Sequence, residues 1–482
     1  MKQQSRIHLL TVSLVVSALC AIAVLASSPV ALAQQQSGLS ISAGLAQTGE
    51  PRFFAIKDAR IVPVSGPVIE KGTVVVANGI ITAVGTDVTI PPEAAVVDGT
   101  GLTVYPGLID AGATVGLTAE ENAGPAGGRG RGPRSATPAK IYNGPQDRPQ
   151  TTPWVVAADE LNPNDPRIQN WRNAGFTTAL VEPEGGIFPG QGSVVDLGDE
   201  RAGNMVVSLR ATLGIDFQLS GNFASFPSSL MGAVSYVRQV FIDTRWYQNA
   251  EDVYNAHQSG IERPPYDRTE VVVGNALKNN ELVLLPAGDK LAIYRAIRLA
   301  KEWQIRAAMY GAQEGYSLSN EIAASKLPVF VNVNWPKMEK GADEDALTLR
   351  ELRLWDRAPS TPAALSKAGV TYAFYSGGLS NPKDILKNVK KAIDAGLSAD
   401  DALKAMTVNP AQMLGVADRL GSIEQGKIAN LVVTDGDLFG EKTKIKDVFV
   451  DGMRYEVHEE APPGPPGGKS MPMQQNNEGV QQ

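Results

Sequence analysis

Histidine and cysteine are scarce in this sequence, with three and one copies among 482 residues. Cys20 and His8 fall in an N-terminal segment that we expect to be removed, so the remaining chain has no disulfide. Only His257 and His458 are left, and we predict that both are surface residues rather than a pair of ligands. A metal site that draws several histidines from different strands would lack its donors.

Clustered basic residues and further long apolar runs are also missing. The chain carries 44 Lys and Arg against 51 Asp and Glu, a net charge of −7 that is mixed along its length. This pattern does not indicate a nucleic-acid surface, and no membrane span is expected in the mature chain. A Gly-x-Ser-x-Gly elbow with a usable histidine, a cysteine nucleophile and a phosphate-binding loop are absent as well.

The N-terminus is typical of a secretory signal peptide. Lys2 and Arg6 precede an apolar run from Leu9 to Leu25, and the small residues of 31–33 form a cleavage site before Gln34. A transmembrane anchor is the alternative, but the run is short for a spanning helix. We expect a signal peptide at 1–33, a linker at 34–52 and a location in the periplasm or outside the cell.

Short β segments occur at both ends of the mature chain. Residues 53–102 contain several, with Asn78-Gly79 as a strong hairpin turn signal, and the β pattern returns at 421–457. We predict that these two segments form one composite β-sandwich. Residues 458–482 are rich in Pro, Gly and Gln and are predicted to be a disordered tail.

The middle of the chain, residues 103–420, alternates apolar strand-like runs with longer helical stretches. This pattern predicts an α/β fold with a parallel sheet buried on both faces, and its length suits a TIM-like (β/α)8 barrel. Predicted strands and helices include Thr103–Ile109, Thr177–Glu182, Leu282–Leu285, Ile305–Tyr310, Pro328–Asn332, Thr371–Tyr375, Lys290–Trp303, Gly315–Ser325, Pro382–Ala395 and Ala399–Met406. Periodicity alone does not choose between a barrel and an open sheet. A flexible loop is expected at about 119–153.

Five segments, in this order, resemble the amidohydrolase superfamily, especially its imidazolonepropionase-like and prolidase-like members. They are 71–85 (KGTVVVANGIITAVG), 104–110 (VYPGLID), 174–181 (AGFTTALV), 409–415 (NPAQMLG) and 421–433 (GSIEQGKIANLVV). The resemblance implies the barrel and sandwich fold and a metal-dependent hydrolase of carbon–nitrogen bonds.

The same resemblance implies metal ligands at positions where this chain has other residues. The family's first-strand motif ends in two histidines, whose places are taken by Gly112 and Thr114. Further ligands of the middle strands are replaced at Pro286 and Gly311, and Gly377 stands in the place of the essential aspartate. These substitutions predict a degenerate metal site, no catalytic residues and no cofactor, with zinc as the alternative if an atypical site exists.

Oxygen ligands at strand ends are a second route to a metal site. Asp110, Glu182, Glu184 and Glu314 could hold Mg²⁺ or Ca²⁺ there, although we favour a structural role for Asp110 at the barrel rim. The following residues are predicted to line a pocket at the barrel mouth: Asp110, Glu182, Gln191, Tyr310, Asn332 and Ser376.

Two functional hypotheses follow. In the first, the chain is a catalytically silent protein that binds a small molecule, forms a homo-oligomer or pairs with an active relative. In the second, it is a hydrolase of carbon–nitrogen bonds with an atypical metal site or none, because a shared fold does not fix function.

Overall fold

The computed structural model describes residues 53–117, 147–198, 201–217, 226–338 and 343–457. The predicted signal peptide, the linker, most of the loop at about 119–153 and the tail lie outside these ranges. No helix within them is both long and apolar enough to cross a membrane.

One eight-stranded sheet is assembled from both ends of the described chain. Its path runs β16-β15-β14-β5-β1-β2-β3, with β4 paired to β1. The strands are β1 Phe53–Ile61, β2 Ile69–Ala77, β3 Ile80–Gly85, β4 Ala95–Asp98, β5 Thr103–Pro106, β14 Leu431–Thr434, β15 Ile445–Val450 and β16 Met453–Glu456. Asn78 and Gly79 both have positive φ, 52° and 83°, as the predicted hairpin turn requires. Strands from residues 53–106 and from residues 431–456 are therefore joined in one hydrogen-bonded sheet, as expected.

A second eight-stranded sheet forms a nearly closed barrel, in the order β13-β12-β11-β10-β9-β8-β7-β6. Its strands are β6 Leu108–Ala113, β7 Phe176–Val181, β8 Gln191–Asp196, β9 Val206–Gly214, β10 Leu282–Ala287, β11 Ala307–Gly311, β12 Val329–Asn332 and β13 Tyr372–Tyr375. The predicted TIM-like architecture is confirmed, with one departure. Strand β8 runs antiparallel to both neighbours, whereas the other adjacent strands along this path are parallel.

The predicted strand Thr103–Ile109 was wrong as a single element. Strand β5 pairs antiparallel with β14 in the terminal sheet, and β6 starts the barrel at Leu108. Gly107 separates them because the chain passes Thr177 closely there: a Cβ on Gly107 would lie 2.1 Å from the Thr177 hydroxyl oxygen. The barrel therefore begins after Gly107 rather than at Thr103.

Helices surround the barrel. They are α1 Pro166–Asn173, α2 Ala202–Met205, α3 Leu230–Ala256, α4 Arg268–Lys278, α5 Lys290–Trp303, α6 Ser319–Ser325, α7 Leu349–Arg357, α8 Thr361–Lys367, α9 Lys383–Asp394, α10 Ala399–Ala405 and α11 Val408–Met413, with short 3-10 turns at Ala157–Glu160, Gly315–Ser317, Glu344–Ala346 and Ala358–Ser360. Helix α5 has the predicted bounds, and its amino end is capped by the Asp289 carboxylate, which accepts from the Ala292 backbone N–H.

The end of the predicted flexible loop is anchored in the structure. Arg148 forms ion pairs with Asp243, 2.9 Å, and with the buried Glu270, 2.6 Å. Thr151 is fully buried, and its hydroxyl lies 2.7 Å from that of Tyr236. These contacts attach residues 147–153, the end of the predicted loop, to α3 and α4; the rest of that loop lies outside the described residues.

Candidate functional site

The barrel interior is filled below its mouth by apolar side chains from every strand. Ile109, Leu180, Ala308, Phe330 and Ala373 are among them, and each is at most 1% exposed. Tyr310 and Tyr375 pack on this cluster from the carboxyl ends of β11 and β13. Since alternate residues of a strand share a face, Ala308 and Tyr310 both point inward, as do Ala373 and Tyr375. The mouth therefore begins at a layer that contains two tyrosine rings.

Gly112 lies against one of those rings. A Cβ on Gly112 would be 3.0 Å from Cδ2 of Tyr375 and 3.3 Å from its Cβ and Cγ. Any side chain longer than methyl at this position would have to share space with the Tyr375 ring. The first predicted ligand position is thus crowded by an aromatic residue of the last strand.

Gly377 lies against an amide in the same way. A Cβ on Gly377 would be 2.0 Å from Oδ1 of Asn332, and Gly377 has a φ of 58°. The Asn332 side chain is held in this place because its Oδ1 also accepts from the Asn334 backbone N–H at 2.8 Å. An aspartate at position 377 would require Asn332 to move and would adopt a backbone conformation that favours glycine.

The other three predicted ligand positions, Pro286, Gly311 and Thr114, lie at or beyond strand ends. They do not bring together side chains that could bind a metal. Pro286 and Gly311 belong to the adjacent strands β10 and β11, and Gly311, with a φ of 101°, lies close to the Gly288 backbone. Thr114 is exposed beyond the end of β6, where Arg167 donates to its hydroxyl at 3.3 Å and to its carbonyl at 2.9 Å.

Two carboxylates lie at the mouth beside the tyrosines. Glu182 follows β7, and its Oε1 accepts from the Thr212 hydroxyl at 2.8 Å. Burial, together with the negative charge of Asp216, raises the pKa of Glu182 to about 7, although the hydrogen bond from Thr212 lowers it. Burial also raises the pKa of Tyr310 and Tyr375, and the charges of Asp216 and Glu182 act on both in the same direction. These four side chains remain partly accessible to solvent. The mouth is therefore acidic and partly lined by aromatic rings.

Asp216 and Tyr375 were not predicted as site residues. Asp216 comes two residues after the end of β9, a strand that the sequence pattern did not reveal. Ligands in this fold are sought just after the ends of strands. If β9 had been predicted, Asp216 would have been named as a candidate site residue. Tyr375 lay within a predicted strand, but nothing in the sequence placed its ring beside Gly112.

Asp110 closes the barrel rather than lining the mouth. The residue is 1% exposed; its Oδ2 accepts from Trp171 Nε1 and its Oδ1 from the Ser376 backbone N–H, both at 2.9 Å. Ser376 is 2% exposed, and its hydroxyl donates to the Gly112 carbonyl at 3.2 Å. These contacts join the first barrel strand to the residue after the last, so the favoured structural role of Asp110 agrees with its environment.

The remaining predicted pocket residues divide in the same way. Asn332 is partly exposed near the mouth, whereas Gln191 is 3% exposed and donates through Nε2 to the Pro153 carbonyl at 2.8 Å. Of the six predicted pocket residues, Glu182, Tyr310 and Asn332 are partly accessible, whereas Asp110, Gln191 and Ser376 are buried and hydrogen-bonded.

The carboxylates proposed as oxygen ligands have other contacts. Glu314 accepts from the Lys290 backbone N–H at the start of α5 and from Arg350 Nη2, at 2.9 Å and 3.2 Å. Glu184 is exposed. Within the described ranges, no three His, Cys, Asp or Glu side chains are grouped so that they could hold a metal ion. His257 is exposed at the end of α3. The described donors therefore do not fit the zinc site that the family resemblance implies.

Comparison with known proteins gives a consistent family signal. Residues 338–455 match the amidohydrolase family. The chain is 23% identical over 428 residues to Amidohydrolase tasK of Hapsidospora irregularis, which covers 79% of this chain but 39% of that protein. The chain thus spans well under half the length of this curated relative.

Solved structures with the same architecture include two named enzymes. The crystal structure of an amidohydrolase from Thermotoga maritima MSB8 has a TM-score of 0.69 and 27% identity, over 84% of this chain and 100% of that chain. A Xaa-Pro dipeptidase with bound methionine in its active site has a TM-score of 0.51 and 16% identity, over 84% and 100%. The second likeness concerns the fold alone.

Proposed function

We propose that the barrel mouth binds a small cationic molecule without metal-dependent hydrolysis; the premise is that residues 338–455 match the amidohydrolase family and that the fold resembles that of an amidohydrolase. The observation that carries the proposal is the filling of two ligand positions. The Tyr375 ring lies against Gly112, and the Asn332 amide lies against Gly377. A mouth filled by an aromatic ring and an amide supports binding rather than activation of water on a metal, which requires fixed donor ligands.

The charge of the mouth supports the ligand class. Glu182 and Asp216 lie there with Tyr310 and Tyr375, and the negative charges of both carboxylates act to raise the pKa of each tyrosine. Carboxylates attract ammonium and guanidinium groups, and aromatic faces bind the same cations. A compound with an amine or guanidine head and a short apolar body matches both features.

Calorimetric titration with matched probes tests this proposal. We expect hexylamine and butylguanidine to bind, and hexanoate, of similar length and opposite charge, not to bind. Glu182→Gln should weaken the cationic probes by about tenfold, as for loss of a charged partner. Glu184→Gln, an exposed carboxylate on the same loop, is the control and should leave affinity unchanged. Equal binding of hexanoate, or no binding of either cation, would overturn the proposal.

A metal-independent hydrolase is the second candidate, and one observation favours it. Burial raises the pKa of Glu182 to about 7, the range in which a carboxyl group can both donate and accept a proton at neutral pH. In this case Glu182 would protonate the leaving amine of a carbon–nitrogen bond, while Asp216, which follows β9, would orient the attacking water molecule and accept its proton.

Hydrolysis of N-acyl amino acids and cyclic amides in the presence of a chelator distinguishes the candidates. The second candidate predicts a rate that depends on one group with an apparent pKa near 7 and that is lost in Glu182→Gln. Absence of turnover, together with binding of the cationic probes, would support the first candidate. Turnover that requires added zinc would contradict both.

We propose that the protein acts outside the cytoplasm and that it associates with an active relative or with itself. The first part rests on the leader pattern of residues 1–33. Cell fractionation with N-terminal sequencing should find the protein outside the cytoplasm with Gln34 as its first residue. Native co-purification followed by light scattering should detect a complex, and recovery of a lone monomer would contradict association.

A further inference from the structure

A cleft of about 860 Å³ lies between surface helices and the segment that connects two strands of the terminal sheet. Its walls are the end of α1, the whole length of α9 and the segment that connects β14 to β15. None of the mouth residues discussed above lines it. The cleft is therefore a separate feature of the surface.

Lysines dominate the charge of this cleft. Lys383, Lys387, Lys390 and Lys391 lie along α9, and Lys444 lies on the opposite wall, against two lining carboxylates, Asp394 and Glu441. Lys387 pairs with Asp384 at 3.0 Å and Lys390 with Asp394. In the part of the chain that the structure describes, Lys383 and Lys391 form no ion pair. The cleft therefore has an excess of positive charge available to an acidic occupant.

Apolar groups line the cleft between the lysines. Leu386 of α9 lies opposite Leu438, Phe439 and Ile445, and Leu386, Phe439 and Ile445 are only partly buried. A groove with one aromatic ring and several aliphatic side chains is a suitable surface for proline-rich chain, which docks in an already extended conformation at low entropic cost.

The described chain ends at this cleft. Val457, the last described residue, is one of the lining residues. The next residues are His458, Glu459 and Glu460, followed by APPGPP at 461–466. In a polyproline II conformation, the nine residues 458–466 would extend about 28 Å. Helix α9, with 12 residues, is about 18 Å long.

We propose that the cleft holds residues 458–466 of the same chain, with Glu459 and Glu460 facing the α9 lysines and the prolines against Phe439 and its apolar neighbours. The order of residues in the sequence agrees with this arrangement, because the two glutamates come soon after Val457 and the prolines follow them. Covalent attachment at Val457 gives the segment a high effective concentration, so modest contacts are sufficient for docking.

Hydrogen exchange of the full chain and of a chain ending at Val457 tests the docking. Loss of the segment should accelerate exchange of α9 and of residues 438–445 about tenfold, the change expected for a site occupied about nine-tenths of the time. Helix α5, remote from the cleft, is the internal control and should not change. Identical exchange of α9 in the two proteins would overturn the proposal.

A labelled peptide of residues 457–468 provides a second test that does not depend on exchange. It should bind the shortened chain saturably and compete poorly with the intact protein. Lys387→Glu with Lys391→Glu should weaken binding roughly three- to tenfold, and a peptide with E459K and E460K should restore it. Lys404→Glu, an exposed lysine on α10, is the control. Absence of saturable binding, or protection that rises with protein concentration and so assigns the segment to a second copy, would contradict docking within one chain.

Discussion

Gly377 and Gly378 are neighbouring residues that differ in one respect. Both have positive φ, 58° and 82°, but a Cβ on Gly377 would meet Asn332 at 2.0 Å, whereas a Cβ on Gly378 meets nothing within 4 Å. Alanine should cost about 1 kcal/mol at either position because of the backbone. At Gly377 the overlap with Asn332 should add about 1–3 kcal/mol.

Urea unfolding of Gly377→Ala and Gly378→Ala measures that difference directly, with Gly378→Ala as the matched control. The Asn332→Ala background should remove most of the excess cost at Gly377. Equal destabilisation of the two glycine variants would mean that Asn332 does not fill the place of the family's aspartate.

At the residue scale, the sequence showed which metal ligands of the family are missing. It did not show which side chains occupy their places. The missing histidines and the substitutions at Gly112 and Gly377 could be read from motifs. The ring of Tyr375 and the amide of Asn332 could not, because they come from strands far away in sequence. The structural role favoured for Asp110 stays a prediction; the structure gives its carboxylate two hydrogen bonds, from Trp171 and from Ser376.

At the scale of elements, Asp110 fastens β6 to the end of β13 and to α1. Its replacement by alanine would leave the N–H groups of Trp171 and Ser376 buried without acceptors. Each such group costs about 1–3 kcal/mol, so Asp110→Ala should destabilise the protein by about 2–6 kcal/mol. Trp171→Phe removes one of the two hydrogen bonds to Asp110 and leaves the one from the Ser376 N–H. It should therefore destabilise the protein less than Asp110→Ala does.

Thermal unfolding of the two variants, followed by circular dichroism, checks this order. If Asp110→Ala changes the free energy of unfolding by less than about 0.5 kcal/mol, as is usual for surface substitutions, the junction between β6 and the end of β13 does not depend on this carboxylate. Exchange protection of β6 and β13 should decrease before that of the opposite strands β9 and β10.

Elements with a strong local signal were the ones that the sequence predicted well. Helix α5 has the predicted bounds, because an amphipathic repeat follows a capping aspartate. The antiparallel direction of β8 and the formation of β9 depend on long-range pairing, which a local pattern does not show. The 27-residue helix α3 was missed, because its mixed polarity gives a weak periodic signal.

At the scale of the whole molecule, a buried polar group connects the barrel to the terminal sheet. Asp196 of β8 is 6% exposed, and its Oδ1 accepts from the Thr178 hydroxyl at 2.7 Å and from Asn430 Nδ2 at 2.8 Å. Asn430 directly precedes β14 and also accepts from the Asp451 backbone N–H at 2.8 Å. Burial raises the pKa of Asp196 from 3.8 to about 7, despite both hydrogen bonds.

This shift has a defined effect on stability. Between pH 4 and 7 the folded protein keeps the Asp196 proton and the unfolded chain loses it, so the free energy of unfolding falls as pH rises through that window. Asp196→Asn keeps an oxygen acceptor and carries no charge. The variant should match the wild type near pH 4 and exceed it by about 2–4 kcal/mol above pH 7.

Denaturation measured across pH 4 to 8 for wild type and Asp196→Asn provides the comparison. The difference between the two curves isolates Asp196 from Asp110 and Glu182, whose pKa values are also raised. A difference that does not change with pH would show that Asp196 is ionised throughout the folded state, held so by its hydrogen bonds.

The most direct test of the account is the metal content of the mature protein. It should be purified, stripped with a chelator, reloaded with zinc, cobalt or manganese, and analysed by mass spectrometry after exhaustive dialysis. The account predicts no tightly held metal, with the cationic probes binding equally before and after stripping. One tightly held zinc ion per chain would contradict it, because Gly112 and Gly377 would then be parts of a working metal centre.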